Sequence, residues 1–74
     1  MLNSLTNRRK STPVDVGGRF CKRDAPSIVW EVLSTFRGTD GYPYAGMICL
    51  SDRSQRKTLS LRELQDGVQY ARVG

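Results

Sequence analysis

The sequence predicts an all-β domain: a five-stranded antiparallel barrel with a short helical turn before the last strand and a disordered tail at the N-terminus. Three observations carry this. β-Branched and aromatic residues recur with a period near two along residues 16–73 of the 74-residue chain. Polar clusters with Gly, Pro and Asp interrupt them at short intervals. A helix-capping signal stands directly ahead of the final run. Short loops between neighbouring strands imply antiparallel pairing. Five short strands cannot leave their apolar face in water, and closure into a barrel also removes most of the exposed edge.

The tail comes first. Residues 1–13 are rich in Asn, Ser and Thr, lack periodicity and read as a flexible basic segment. Residues 14–74 form the predicted domain. Arg19 to Arg23 is the first strand, an apolar Phe20-Cys21 pair inside charges. Asp24-Ala25-Pro26-Ser27 reads as a turn, because Pro fixes φ and Asp and Ser bond their own backbone. Ile28 to Phe36 is the strongest strand. Alternation puts Ile28, Trp30, Val32 and Phe36 on one face, and Glu31 and Thr35 on the other. A helix is disfavoured there, since β-branched residues lose χ1 freedom in one.

Residues 37–43 hold two glycine turn signals and read as a hairpin loop. Tyr44 to Leu50 follows with no polar face, which predicts an interior strand. After the polar turn 51–55, Arg56 to Leu61 is the fourth strand, with Leu59 and Leu61 facing in. Ser60-Leu61-Arg62-Glu63 matches a capping box, and Gly67 supplies a stop. Val68 to Val73 closes the chain as the fifth strand. The predicted core is Phe20, Ile28, Trp30, Val32, Ile48, Leu50, Leu59, Leu64, Val68 and Tyr70.

Gly18-x-Phe20, Trp30-x-Val32, Ala45-x-Met47-x-Cys49 running into Leu50-Ser51-Asp52, and Thr58-Leu59-Ser60-x-x-x-Leu64 resemble the spacing of SH3-like and Tudor-like small barrels. They are also similar to short uncharacterised bacterial proteins with a Trp-Glu-Val strand and an Arg-x-Thr-Leu-Ser-x-x-x-Leu ending. The resemblance spans residues 16–73. It implies a barrel whose helical turn swings the last strand back beside the first. Its motifs are core and turn positions, so it speaks to fold before function.

Composition narrows the chemistry. The chain has no histidine, which removes Ser-His-Asp and Cys-His catalysis and the commonest metal ligand. Two cysteines cannot make a four-ligand zinc site alone. A domain this small buries a thin core and leaves little room for a catalytic pocket. No enzyme, cofactor or metal is expected. No apolar run is long enough to cross a membrane, and the N-terminus has no secretory apolar region. Cys21 and Cys49 lie in apolar stretches and read as buried, reduced thiols of a cytoplasmic protein.

Two surface constellations remain. Arg8, Arg9, Lys10, Arg19, Lys22, Arg23, Arg53, Arg56 and Lys57 would form a cationic stripe, the footprint of a nucleic-acid backbone. The charge is uneven: the tail carries three of the twelve basic residues and no acid, while residues 14–74 hold nine basic and seven acidic groups. Tyr42 and Tyr44, around the Asp-Gly-Tyr-Pro loop, are the candidate aromatic rim, with Tyr42 either exposed or packed on its own loop. Trp30 and Phe20 read as core. The expected function is a small non-catalytic binding module, a protein-interaction adaptor working through a strand edge or loop rim. A nucleic-acid-associated barrel using the basic stripe and tail is the alternative.

Overall fold

The computed structural model describes residues 14–73. The predicted tail, with Arg8, Arg9 and Lys10, lies outside them. Five strands and one helix follow in chain order: β1 (Arg19–Lys22), β2 (Ala25–Arg37), β3 (Pro43–Cys49), β4 (Arg56–Ser60), α1 (Leu61–Gln65) and β5 (Tyr70–Arg72). They form one antiparallel sheet in the order β4-β3-β2-β1-β5. The chain is all-β, as its alternation predicts, and the last strand lies beside the first. The expected closure is not there. Among the described residues no backbone pairing joins β4 to β5, so the sheet is open.

Strand β2 departs most from expectation. It begins at Ala25, inside the predicted turn, and runs for 13 residues. Its register with β1 jumps from Lys22↔Ala25 to Cys21↔Val29, so Pro26, Ser27 and Ile28 have no partner on β1. Such an irregularity accommodates a proline that cannot donate to a ladder. It also leaves Ile28 exposed, although alternation placed it in the core. A second bulge falls between Val32, opposite Met47, and Ser34, opposite Gly46. Leu33 is the extra residue. One extra residue reverses which parity faces inward. Phe36, expected beside Trp30 and Val32, therefore joins Tyr44 on the outer face.

The core collects Val14, Phe20, Trp30, Val32, Ala45, Met47, Cys49, Leu64 and Tyr70, with Leu59 and Leu61 packed against it. Strand β3 thus turns Ala45, Met47 and Cys49 inward, not Tyr44 and Gly46. Ile48 is nonetheless buried, so β3 is covered on both faces there. Leu50 is only half-buried. Val68 is 71% exposed, a second correction to the predicted core. The fifth strand starts at Tyr70, because Gly67 takes φ +72° and the Asp66 carboxylate accepts the Val68 N–H at 2.9 Å. Val68 is spent on that bend. Helix α1 starts as its sequence predicts: the Ser60 hydroxyl accepts the Glu63 N–H at 3.1 Å.

Trp30 is 8% exposed at the middle of this core. Its replacement by Ala costs about 3–5 kcal/mol, which is about all a domain of this size holds. Trp30→Ala is expected to be largely unfolded by amide NMR dispersion. A well-dispersed spectrum would refute the assignment of this ring to the centre of the core.

Candidate functional site

The β2–β3 hairpin builds its own rim from local bonds. The Gly38 N–H donates to the Tyr42 carbonyl at 2.8 Å, and the Gly41 N–H to the Gly38 carbonyl at 2.9 Å. The Arg37 guanidinium donates to the Gly41 carbonyl. Asp40 is the hub. One carboxylate oxygen accepts the Tyr42 N–H at 3.0 Å, and the other accepts the Tyr44 hydroxyl. Gly38 is required by space: a Cβ there would stand 2.6 Å from a Tyr44 ring carbon.

Three aromatic rings stand at this rim, Phe36 and Tyr44 on the outer face of the sheet and Tyr42 in the loop. Phe36 and Tyr44 stack with ring centroids 6.0 Å apart and planes 22° from parallel. Tyr42 projects from the tip and is 67% exposed, and Phe36 is 46% exposed. Tyr42, Pro43 and Tyr44 face Ser60, Arg62 and Gln65 across a groove of about 490 Å³. Both predicted rim residues are there, and Tyr42 is the exposed one. Phe36 and Arg62 were missed. Alternation puts Phe36 on the face of Trp30 and Val32, and the Leu33 bulge interrupts that alternation. Arg62 is brought in by the chain reversal at Ser60.

Among the described residues the predicted cations are spread over several elements. Arg19 pairs with Glu31 at 3.5 Å, the only ion pair among the described residues. Arg23 donates to the Gly67 carbonyl at 2.8 Å. Arg53 sits in the exposed turn between β3 and β4, and Lys22 pairs with Tyr70 of β5. Arg56 shares the row Arg19–Glu31–Ile48–Arg56 across four strands.

Lys57 turns inward. Its ammonium lies 4.1 Å from the centroid of Trp30 and donates to the Tyr70 hydroxyl at 3.0 Å. It is also 5.4 Å from the centre of the Tyr70 ring. Tyr70 is 3% exposed, and its hydroxyl is satisfied by the lysine and not by bulk water. Lys57 therefore serves the interior of the fold, and the surface stripe loses a member.

Both cysteines are buried and unpaired with each other. A hydrogen bond with the Ser51 hydroxyl, at 3.3 Å, draws the Cys49 thiol below its ordinary pKa, against the effect of burial. At 2% exposure that thiol has no open approach. Among the described residues no group of three or more His, Cys, Asp or Glu is placed to hold a metal ion. No helix among them is long and apolar enough to cross a membrane. No protein-family model matches the chain, and no curated protein or solved structure matches it.

The Asp40–Tyr44 bond gives the rim a pH window. The Tyr44 hydroxyl first, then the Tyr42 N–H, hold the Asp40 carboxyl below its ordinary 3.8. A depressed acid stabilises above its unfolded pKa and loses that contribution as pH falls through the folded one. The same bond raises Tyr44 above its ordinary 10.0, so its contribution is lost as pH rises past that value. Tyr44 ring signals are expected to stay constant from about pH 4 to about pH 10 and to move outside that range. Asp40→Asn should abolish the acid limb. A Tyr44 signal in the native chain that does not move as Asp40 is protonated below about pH 4 would disprove the bond.

Lys57→Met keeps most of the apolar stem and removes the charge. A partly desolvated cation over tryptophan is worth about 1–2 kcal/mol. Urea unfolding followed by Trp30 emission is expected to show a loss of that size. Tyr70→Phe, which removes one hydroxyl partner, should lose about 1 kcal/mol. Unchanged midpoints in both variants would show that the lysine is incidental to the fold.

Proposed function

We propose that this chain is a small non-catalytic binding module, a partly open SH3-like barrel that docks a protein partner on the aromatic rim of its β2–β3 hairpin. The barrel part of the proposal is supported by the strand order. The helical turn after β4 leads the chain into β5, which lies beside β1, and the Lys57 side chain links β4 to β5 across the interior.

The observation that carries the function is the combination of exposure and restraint in the rim. Tyr42 and Phe36 are large apolar side chains left in water, yet their loop is fixed by five hydrogen bonds through Asp40, Gly38, Gly41 and Arg37. Rigid tyrosine and phenylalanine supply contact area with little conformational entropy left to lose. Such residues dominate protein interfaces. The scattered cations favour this over backbone binding of nucleic acid. Of the predicted contacts among the described residues, Arg19, Arg23 and Lys57 already have partners within the fold.

The test compares the wild-type chain with the double variant Tyr42→Ala, Phe36→Ala, each immobilised and exposed to cell lysate. Both side chains lie outside the core cluster, so the variant is expected to keep wild-type amide dispersion. Protein captured by the wild-type chain should survive high salt, and the variant should retain about a tenth or less of it. Equal capture by both would exclude the rim. Captured material that is destroyed by nuclease and released by moderate salt would favour the nucleic-acid alternative.

A further inference from the structure

The sheet leaves β4 at one end, bordered by two depressions and flanked by cations. Among the described residues β4 pairs only with β3. The Cys49 N–H donates to the Gln55 carbonyl at 3.1 Å, which fixes the phase of the ladder. In an antiparallel pair the backbone groups alternate between facing the partner and facing away. Lys57 and Leu59, opposite Met47 and Ala45, therefore bond β3. The backbone N–H and C=O of Arg56 and Thr58 point away from the sheet.

An added strand would meet shaped surface at both ends of β4. The row Ser34–Gly46–Thr58 crosses the outer face, and the missing side chain of Gly46 opens a notch of about 370 Å³. Leu33 walls it on one side and Arg56 on the other. At the far end lies the rim groove, with Ser60 and Arg62. Strand side chains alternate between faces, so every second residue of an added strand would reach this outer face.

Charge selects the occupant. With Lys57 turned inward, residues 52–63 carry three outward cations, Arg53, Arg56 and Arg62, against Asp52 and Glu63. The Asp52 carboxylate is already engaged by Ser54 and Gln55. Neither Arg56 nor Arg62 has an ion-pair partner among the described residues. A second copy of the chain would bring its own β4 cations, or Arg72 of β5, against these, and like charges across a strand pair repel. An acidic strand has the opposite charge.

We propose that the outer edge of β4 is a strand-addition site for an extended acidic segment of a partner protein. The segment pairs with the outward backbone groups of Arg56 and Thr58 and sets its carboxylates against Arg56 and Arg62. Backbone pairing supplies affinity, and the notch and groove supply selectivity. This rests on the binding-module reading and names the chemistry of its partner.

The probe is a short blocked peptide alternating glutamate and valine, titrated into the labelled full chain and followed by amide NMR. Shifts are expected to concentrate in residues 56–60, with slowed exchange of the Arg56 and Thr58 amides. The same peptide carrying N-methyl groups on one edge should bind about tenfold more weakly or worse, because it cannot complete the ladder. A lysine–valine peptide should not bind. Thr58→Pro removes one outward N–H at a position where edge strands accept proline, and should weaken binding similarly. If that variant does not fold, the methylated peptide tests the same bond on the native chain.

Shifts confined to residues 36–44 and 62–65 would overturn the edge site and leave the rim in place. Equal binding of the methylated peptide would overturn strand pairing. Absence of shifts with the peptide at millimolar concentration would overturn the acidic-strand proposal. So would shifts in residues 56–60 that grow with protein concentration alone, which identify a second copy as the occupant. An RNA oligonucleotide shifting these amides where the peptide does not would overturn it as well.

Discussion

The side chain of Lys57 holds the two ends of an open sheet together. Strands β4 and β5 share no backbone hydrogen bond among the described residues, yet the Lys57 ammonium of β4 bonds the Tyr70 hydroxyl of β5 and lies over the Trp30 ring between them. An open five-stranded sheet with one short helix has little to cover its concave side. The ammonium lets a polar hydroxyl and an indole face be buried together. Without it the Tyr70 oxygen would lack that partner inside the core, and an unsatisfied buried acceptor costs more than a made bond returns. The arrangement also lets β4 keep its outer backbone groups exposed, since the tie runs through a side chain.

The bulge at Leu33 decides what the outside of this sheet presents. At Trp30 and Val32 the even-numbered residues of β2 face the core; beyond the bulge the odd-numbered Thr35 takes that side of the sheet, as its pairing with Ala45 records. The shift moves Phe36 out of the core and onto Tyr44. It also sets Ser34 opposite Gly46, where a Cβ would come within 3.1 Å of the Ser34 hydroxyl. The aromatic pair and the glycine notch are thus two results of one extra residue. A regular β2 would bury Phe36 and leave the hairpin with Tyr42 and Tyr44 alone.

Elements whose evidence is local were legible in the sequence. The Trp30-Glu31-Val32 strand, the Ser60 cap and the Gly67 stop follow from residues within a few positions of each other. The rim was legible in part, because Asp40-Gly41-Tyr42-Pro43 is a turn with an aromatic in it. What escaped was set by partners distant in sequence. A bulge is defined by the strand opposite, so nothing near Leu33 announces it. Both parities of β3 are apolar, so alternation could not choose between Met47 with Cys49 and Ile48 with Leu50. Lys57 has the composition of a surface residue, and only the meeting of β2, β4 and β5 makes it an interior one. Closure was expected on the ground that edges are liabilities, and it does not occur along the backbone.

An exposed edge in so small a domain needs a reason not to assemble with copies of itself. Strand β5 has three residues, too short to template much pairing. Strand β4 is longer, and its protection is charge, with Arg56 on the edge and Arg53 and Arg62 on its flanks. Charge is a selective barrier where proline or a covering loop would be a general one. It turns away every strand of like sign, including the chain's own, and leaves the backbone groups available to a strand of opposite sign. The hairpin rim follows the same economy. Its bonds run within one loop and draw nothing from the core, so exposed aromatic rings can be held rigid without asking a thin interior for stability it does not have.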